Sequence, residues 1–259
     1  MKIIAAIKQV PERDAPVHIA PSAKWIDESN LQFALNEPDA YALEEALLLK
    51  ERSAEEGGEV IVITAGPERA GSAIREALAK GADRGIHIVC DDLESRDALG
   101  VARLLAAAIK PENPDLVLTG LQSEDLGLGQ TGVILAELLG MPHATLILQV
   151  EKSNGGLKVK RELEEGWFQE IELPLPAALT IQSGGNKLRY ATLMGIKRAK
   201  GKEVRSIAPA ELNVNSAPSA ILEHIGLPEK QKSTQMLSGS PKEIAAALVE
   251  KLKFEARVL

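Results

Sequence analysis

The 259-residue chain predicts an α/β protein built on a doubly wound, mostly parallel sheet, and three observations carry that expectation. Apolar runs of strand length alternate with amphipathic stretches of helix length through residues 1–140. The runs are apolar throughout rather than at every second position, as strands covered on both faces are. Small residues stand at or near their ends, at Ala6, Ala65 and Gly120, and leave room for a flat ligand beyond the strand C-termini.

Taken in order, residues 2–7 form a first, central strand. Residues 11–38 read as irregular, because Pro11, Pro16, Pro21 and Pro38 block any long helix. A helix then runs from Asn36-Glu37-Pro38-Asp39 to about Arg52, with Asp39 as its N-cap and Ala42, Leu43, Ala46, Leu47 and Leu49 facing inward. A second strand covers 59–64, and Ala65-Gly66-Pro67 turns it into a helix over 68–80. A third strand covers 86–89, and Ser95 caps a helix over 96–109. Leu116, Val117 and Leu118 make the fourth strand.

The connection that follows is polar and rich in glycine. It enters a helix at Gln130-Thr131-Gly132, whose apolar positions Val133, Ile134, Leu135, Leu138 and Leu139 are too many for an exposed face. Strand, glycine loop and helix start form the arrangement that binds phosphate in open α/β sheets. The same residues also fit a plain turn closed by Gly127 and Gly129, with Thr131 as N-cap. Neither a Walker pattern with its lysine nor GxGxxG is present, so chemistry on a γ-phosphate is unsupported. Asp125 would repel an inward phosphate, and a ribose hydroxyl or a backbone cap is its expected partner.

Beyond residue 144 strands dominate, over 145–150, 157–163, 167–173 and 178–182, with Ser153-Asn154-Gly155-Gly156 and Glu164-Glu165-Gly166 as hairpin turns. They predict an antiparallel or mixed extension of the same sheet. The tail carries Pro209, Pro218 and Pro228, and its polar stretches at 200–220 and 229–240 offer little to bury. A last amphipathic helix covers 241–254, with Ile244, Ala247, Leu248 and Leu252 on one face. It reads equally as an arm around a partner and as a helix packed on its own sheet.

A net charge of −7 argues against nucleic acid as a partner. The single cysteine, Cys90, excludes an intramolecular disulfide and a multi-cysteine metal site, and is expected to pack as a small apolar residue at a strand end. His18, His87, His143 and His224 lie too far apart for metal-ligand spacing. No apolar run approaches the roughly 18–20 residues a bilayer span needs, and MKIIAAIKQV reads as a strand rather than a leader. The expectation is a cytoplasmic chain with no membrane insertion.

One stretch is more specific than any of these. Val159-Lys160-Arg161-Glu162-Leu163-Glu164-Glu165-Gly166, followed by Gln169-Glu170-Ile171 and Leu175-Pro176-Ala177-Ala178-Leu179-Thr180, resembles the signature hairpin of electron transfer flavoprotein beta subunits, with Ala178 where a larger aliphatic is usual. The blocks Ala6-Ile7-Lys8-Gln9-Val10, Asn36-Glu37-Pro38-Asp39, Ala42-Leu43-Glu44-Glu45-Ala46, Lys80-Gly81-Ala82-Asp83-Arg84, Gly129-Gln130-Thr131-Gly132 and Arg189-Tyr190-Ala191-Thr192-Leu193 support it at family-like spacing.

The resemblance implies a Rossmann-like sheet of the adenine nucleotide alpha hydrolase-like kind, with a C-terminal arm. It implies an AMP in this subunit and a heterodimer with an alpha subunit that carries FAD. The chain would be an electron carrier without catalytic residues or metal. Electrons would come from flavin dehydrogenases, such as the acyl-CoA dehydrogenases of fatty acid β-oxidation. They would leave through electron transfer flavoprotein-quinone oxidoreductase to the respiratory chain. Carried onto this sequence, the AMP pocket would use Ala6, Asn36, Glu37, Pro38, Asp39 and Ala65. The loop of Gly120, Leu121, Gln122, Ser123, Glu124, Asp125, Leu126, Gly127, Leu128, Gly129, Gln130 and Thr131 would hold phosphate and ribose.

Residues 190–200 resemble the family's recognition loop, with Leu193 as an apolar anchor for a partner dehydrogenase, supported by Tyr190 and Ile196. The plainer alternative is a helical turn packed on its own domain, with Lys197, Arg198, Lys200 and Lys202 as a solvated face. The implied division is a nucleotide-binding domain over 1–185, and a recognition loop and arm over 186–259 that pack on the partner subunit. Val10-Pro11 resembles an electron-bifurcating branch that holds a second FAD in place of AMP. That branch continues with an acidic-threonine pair, whereas Glu12-Arg13 stands here, and Gly129-Gln130-Thr131-Gly132 resembles the single-flavin branch. Ser183-Gly184-Gly185 echoes the loop of ATP-splitting enzymes on a related fold, yet continues as Asn186-Lys187-Leu188 without the Asp-Ser such a loop requires. A nucleotide-binding module acting alone is the remaining alternative.

Overall fold

In the computed structural model, which describes residues 1–53, 57–92, 95–228 and 234–258, the apolar runs become the centre of one sheet. β1 (Lys2–Ala6) is followed by a short antiparallel pair, β2 (Gln9–Pro11) with β3 (Phe33–Leu35), inside the stretch expected to be irregular. The alternation then runs α1 (Glu37–Arg52), β4 (Glu59–Gly66), α2 (Gly71–Lys80), β5 (Arg84–Val89), α3 (Ala98–Ile109), β6 (Leu116–Gly120) and α4 (Thr131–Leu139). The second half contributes β7 (His143–Ser153), β8 (Gly156–Glu162), β9 (Phe168–Pro174), β10 (Ala177–Ile181), α5 (Leu193–Ala199), β11 (Val204–Ile207) and α6 (Pro241–Glu250).

The nine-stranded sheet has the order β11-β5-β4-β1-β6-β10-β7-β8-β9. It is parallel from β11 to β7 and antiparallel at β8 and β9. Successive side chains of a strand point to opposite faces. Ile3 and Val62 accordingly pack with Leu43, Ala46 and Ile74 under α1 and α2, whereas Ile4 and Ile61 pack with Leu104 and Leu135 under α3 and α4. From β1 the chain runs outward through β4 and β5, then crosses to β6 on the other side. That reversal makes a topological switch point between β1 and β6, where Ala6 lies in register with Thr119.

Several boundaries differ from the expectation, each for a physical reason. β10 does not prolong the hairpin meander but returns between β6 and β7, parallel to both, because its residues are all buried and belong in the interior. β11 was not anticipated; only Ile207 of it is buried, so an edge strand here leaves no apolar run. α3 begins at Ala98 because Asp97, not Ser95, caps it: Asp97 Oδ1 accepts from Gly100 N at 2.8 Å, while Ser95 Oγ turns back to Asp92 O. A 3₁₀ turn, Glu68–Ala70, precedes α2. Cys90 is buried just after β5, as expected, where burial pushes its thiol up to about 11.

The chain divides into two compact units, Met1–Ile225 and Gly226–Leu259. In the second, Ser240 and Glu243 cap α6 reciprocally. The α-helix ends at Glu250 and gives way to a wider π turn, Lys251–Glu255, so the expected continuous helix to 254 changes pitch before Leu252. The polar stretch 229–240 lies partly outside the described residues. No described helix is long and apolar enough to cross a membrane.

Candidate functional site

A cleft of about 750 Å³ opens beyond the C-terminal ends of β1, β4 and β6. Of the residues chosen from sequence, Ala6, Asn36, Asp39, Ala65, Leu121, Gln122, Ser123, Asp125, Leu126, Leu128, Gly129, Gln130 and Thr131 line it. Glu37, Pro38, Gly120, Glu124 and Gly127 are not on its wall.

The first turn of α1 sets the floor. Pro38 occupies an early helical position, where its missing N–H costs nothing, and Asn36 rather than Asp39 is the N-cap. Freed from capping, Asp39 reaches across the strand ends: Oδ2 accepts from Lys8 N at 2.7 Å and Oδ1 from Gly120 N at 2.8 Å. This one carboxylate staples the chain leaving β1 to the end of β6. Burial pushes its carboxyl up to about 6, against the opposing pull of the two backbone hydrogen bonds. Gly120 is required by that approach, since a Cβ there would sit 2.5 Å from Asp39 Oδ1 and 2.7 Å from Asp39 N. The Asn36 amide makes no cap bond; it donates to Gln122 O and accepts from Glu124 N, both at 3.0 Å, and so fastens the following loop.

That loop folds back on itself through Gly127, whose N–H donates to Ser123 O at 2.8 Å. Gly127 and Gly129 both hold φ of +62°, the left-handed region open to glycine. Asp125 pairs with Lys8 Nζ at 2.6 Å and accepts from Leu126 N, so it takes a backbone partner, one of the two expected for it, with the Lys8 charge added. Burial raises the Asp125 carboxyl, but the Lys8 charge and hydrogen bonds from Lys8, Ser123 and Leu126 outweigh it and hold the group below its usual value.

The loop delivers the chain to α4, whose first turn, like those of α1 and α2, has no side-chain cap. α3, α5 and α6 each have a side chain capping the first turn, from Asp97, Thr192 and Ser240. α4 has no side-chain cap and no acidic residue in its first turn, and Gln130, Thr131 and Gly132 line the cleft. Thr131 is thus the first helical residue rather than the cap. Unpaired N–H groups at the positive end of the helix dipole therefore border the cleft. Gly132 packs directly on the Thr119 hydroxyl and the Thr180 methyl, leaving no room for a Cβ. Thr180 Oγ1 is buried with no hydrogen-bond partner among the described residues.

Sequence reasoning missed other parts of the wall. Lys8 and Gln9 come from the opening block, and Thr119 stands near the end of an apolar strand. Trp25, Glu28, Phe33 and Arg69 form a polar-aromatic side of the cleft. Arg69 stacks 3.6 Å over the Phe33 ring and pairs with Glu28 at 2.8 Å, while Trp25 Nε1 donates to Glu28. These residues are scattered through a stretch with no periodic pattern. No group of His, Cys, Asp and Glu among the described residues could hold a metal ion.

A second feature lies outside the cleft. Thr192 caps α5 by accepting from Gly195 N, and the apolar side chains around it point to solvent: Tyr190 is 93% exposed and Leu193 87%. Met194 and Ile196 extend the patch, Met194 without any notice from the sequence reading.

Comparison with known proteins accords with this architecture. The family model described as Electron transfer flavoprotein domain matches residues 24–212. Electron transfer flavoprotein subunit beta of Methylophilus methylotrophus is 38% identical over 258 residues, 96% of this chain and 97% of that protein. The mitochondrial beta subunit of Oryza sativa subsp. japonica is 36% identical over the full length of both chains. The human beta subunit is 34% identical over 260 residues, all of this chain and 99% of that one. The chain belongs to the electron transfer flavoprotein family, among its beta subunits.

Proposed function

We propose that this member of the electron transfer flavoprotein family holds AMP in the cleft and forms a heterodimer with an alpha subunit that carries FAD. The residues present fit the nucleotide. The cap-free start of α4 and the left-handed glycines of its loop suit a phosphate. Ala6 and Ala65 leave the space between strand ends that a flat base needs. In this reading the residues from Gly120 to Thr131 hold phosphate and ribose, while Asn36, Glu37, Pro38 and Asp39 keep that loop in place. AMP supplies no chemistry here. Bound to the native state alone, it stabilises the fold by mass action.

Electron transfer then belongs to the flavin of the partner. Flavin dehydrogenases, such as acyl-CoA dehydrogenases, reduce it, and a quinone oxidoreductase takes the electrons onward. This chain contributes the docking surface of Tyr190, Leu193 and Ile196. Its residues 186–259 pack on the alpha subunit, and the assembly works without inserting into a membrane; the cytoplasm is the compartment this reading gives it. The observation that carries the proposal is the uncapped start of α4, placed with a glycine loop at the switch point of the sheet. Denaturing the co-purified heterodimer and assaying the released nucleotides tests it. One AMP and one FAD are expected. Two FAD without AMP would replace this reading with the bifurcating one, and absence of nucleotide would end it.

A further inference from the structure

The exposed patch on α5 is not free to wander. Immediately before it, the Arg189 guanidinium lies across α1 and grips two carboxylates set two turns apart. Its Nε donates to Glu44 Oε2 at 2.9 Å and one terminal nitrogen to Glu44 Oε1 at 2.8 Å. The other terminal nitrogen donates to Glu51 Oε1 at 2.6 Å. The Arg189 backbone N–H adds a bond to Glu44 at 3.1 Å. The Glu44 side chain is only 5% exposed, so this is a seated ion pair rather than a solvated one. On the far side, Gly195 packs so tightly on the Ala79 carbonyl of α2 that no Cβ would fit, and Arg75 donates to the carbonyl of Ala199 at 3.0 Å.

Arg84, by contrast, joins the start of β5 to Glu59 of β4 and to Glu112. Arg189 fastens a segment whose exposed side chains include the apolar Tyr190, Leu193, Met194 and Ile196. Apolar anchors held in place before encounter lose less conformational freedom on docking than anchors on a loose loop. A planar guanidinium suits the task because its fork fixes direction as well as distance, which an ammonium does not.

We propose that Arg189 is a positioning residue for partner docking: held between Glu44 and Glu51, it presents Tyr190 and Leu193 in the arrangement a partner binds, acting through them rather than by touching the partner. The inference rests on reading residues 190–196 as the docking surface, and the test separates the two.

The experiment uses the heterodimer, comparing Arg189→Lys, Glu51→Gln and Leu193→Ala. Arg189→Lys retains a charge for Glu44 while losing the fork. Amide hydrogen exchange is followed across residues 190–199, and KM and kcat are measured for reduction by a purified flavin dehydrogenase. For Arg189→Lys, exchange across the segment should rise and KM should increase about fivefold to tenfold, the cost of ordering a segment at encounter. The kcat and the flavin spectrum should stay as in the parent. Glu51→Gln should move exchange and KM in the same direction by less. Faster exchange with unchanged KM overturns the positioning role, and so does a raised KM with unchanged exchange, which would mean direct contact with the partner. If Leu193→Ala leaves KM unchanged, the docking surface itself is wrong and the inference falls with it. If Leu193→Ala raises KM while Arg189→Lys does not, only the inference fails.

Discussion

The two ends of the parallel strands use the same device, a carboxylate that accepts backbone N–H groups, to opposite effect. At the N-terminal end, Asp115 accepts from Lys2 N and Asp83 from Val60 N, both at 2.7 Å, and Lys50 pairs with Asp83. Beside them Arg84 bridges Glu59 and Glu112. Each of these carboxylates is exposed or paired with a cation. At the C-terminal end, Asp39 makes the same stitch without an ion pair among the described residues, fully buried and with its carboxyl pushed up to about 6. Around it lie an open cleft and, at the start of α4, a helix end without a side-chain cap. The difference teaches that one end of this sheet pairs its carboxylates with cations or leaves them exposed, while the other buries one beside an open cleft.

Replacing Asp39 by Asn tests that contrast most severely. The amide would set an N–H against the backbone N–H of Lys8 or Gly120, and unfolding in urea should show a loss of about 2–4 kcal/mol. Nucleotide retained by the purified heterodimer should fall with it. If Asp115→Asn at the other end costs as much, the two ends are equivalent and the contrast is broken. The pH dependence follows from the same group. A folded-state value of about 6 against an ordinary 3.8 means the folded chain holds this proton more tightly than the unfolded chain. Its stabilising contribution is therefore complete below 3.8 and is lost as pH rises through about 6. Wild type should show that downward slope in stability across the window, and Asp39→Asn should lack it.

At the N-terminal end, Arg84→Met should lower stability by about 1–3 kcal/mol, since its partners are partly rather than wholly buried. Nucleotide content should not change; a loss would show that the ends are coupled. A smaller effect on the fold is expected from Gln130→Ala combined with Thr131→Val, within about 0.5 kcal/mol for the nucleotide-free protein. Retained AMP should nevertheless drop below one per heterodimer, and stoichiometric AMP would place the phosphate elsewhere. Least of all should Leu193→Ala disturb the fold, because the side chain is 87% exposed. Its whole effect should appear as an increase of about tenfold in KM for a partner dehydrogenase.

Much of the open end was legible beforehand. Ala6, Ala65, Gly120 and the loop to Thr131 all follow from where apolar runs stop and glycines begin, and these are local facts about composition. Asp39 shows where local reading fails. An acidic residue near a helix start signals a cap, and nothing nearby in the sequence says that the backbone of Lys8 and Gly120 will converge on it. Lys8 was likewise passed over, because its partner Asp125 lies 117 positions away. β11 went unseen because an edge strand buries too little to show a pattern.

By itself, then, the sequence determined the fold class, the end of the sheet that opens and the family, because strands buried on both faces must be apolar and turns at their ends must be small. The tertiary structure alone decided that β10 enters the middle of the sheet and that Asp39 joins β1 to β6. It alone showed that Arg189 ties an exposed patch to α1. Each of these depends on groups far apart in the chain meeting in space, and hydrogen bonds and ion pairs, unlike hydrophobic burial, leave no periodic trace along a sequence.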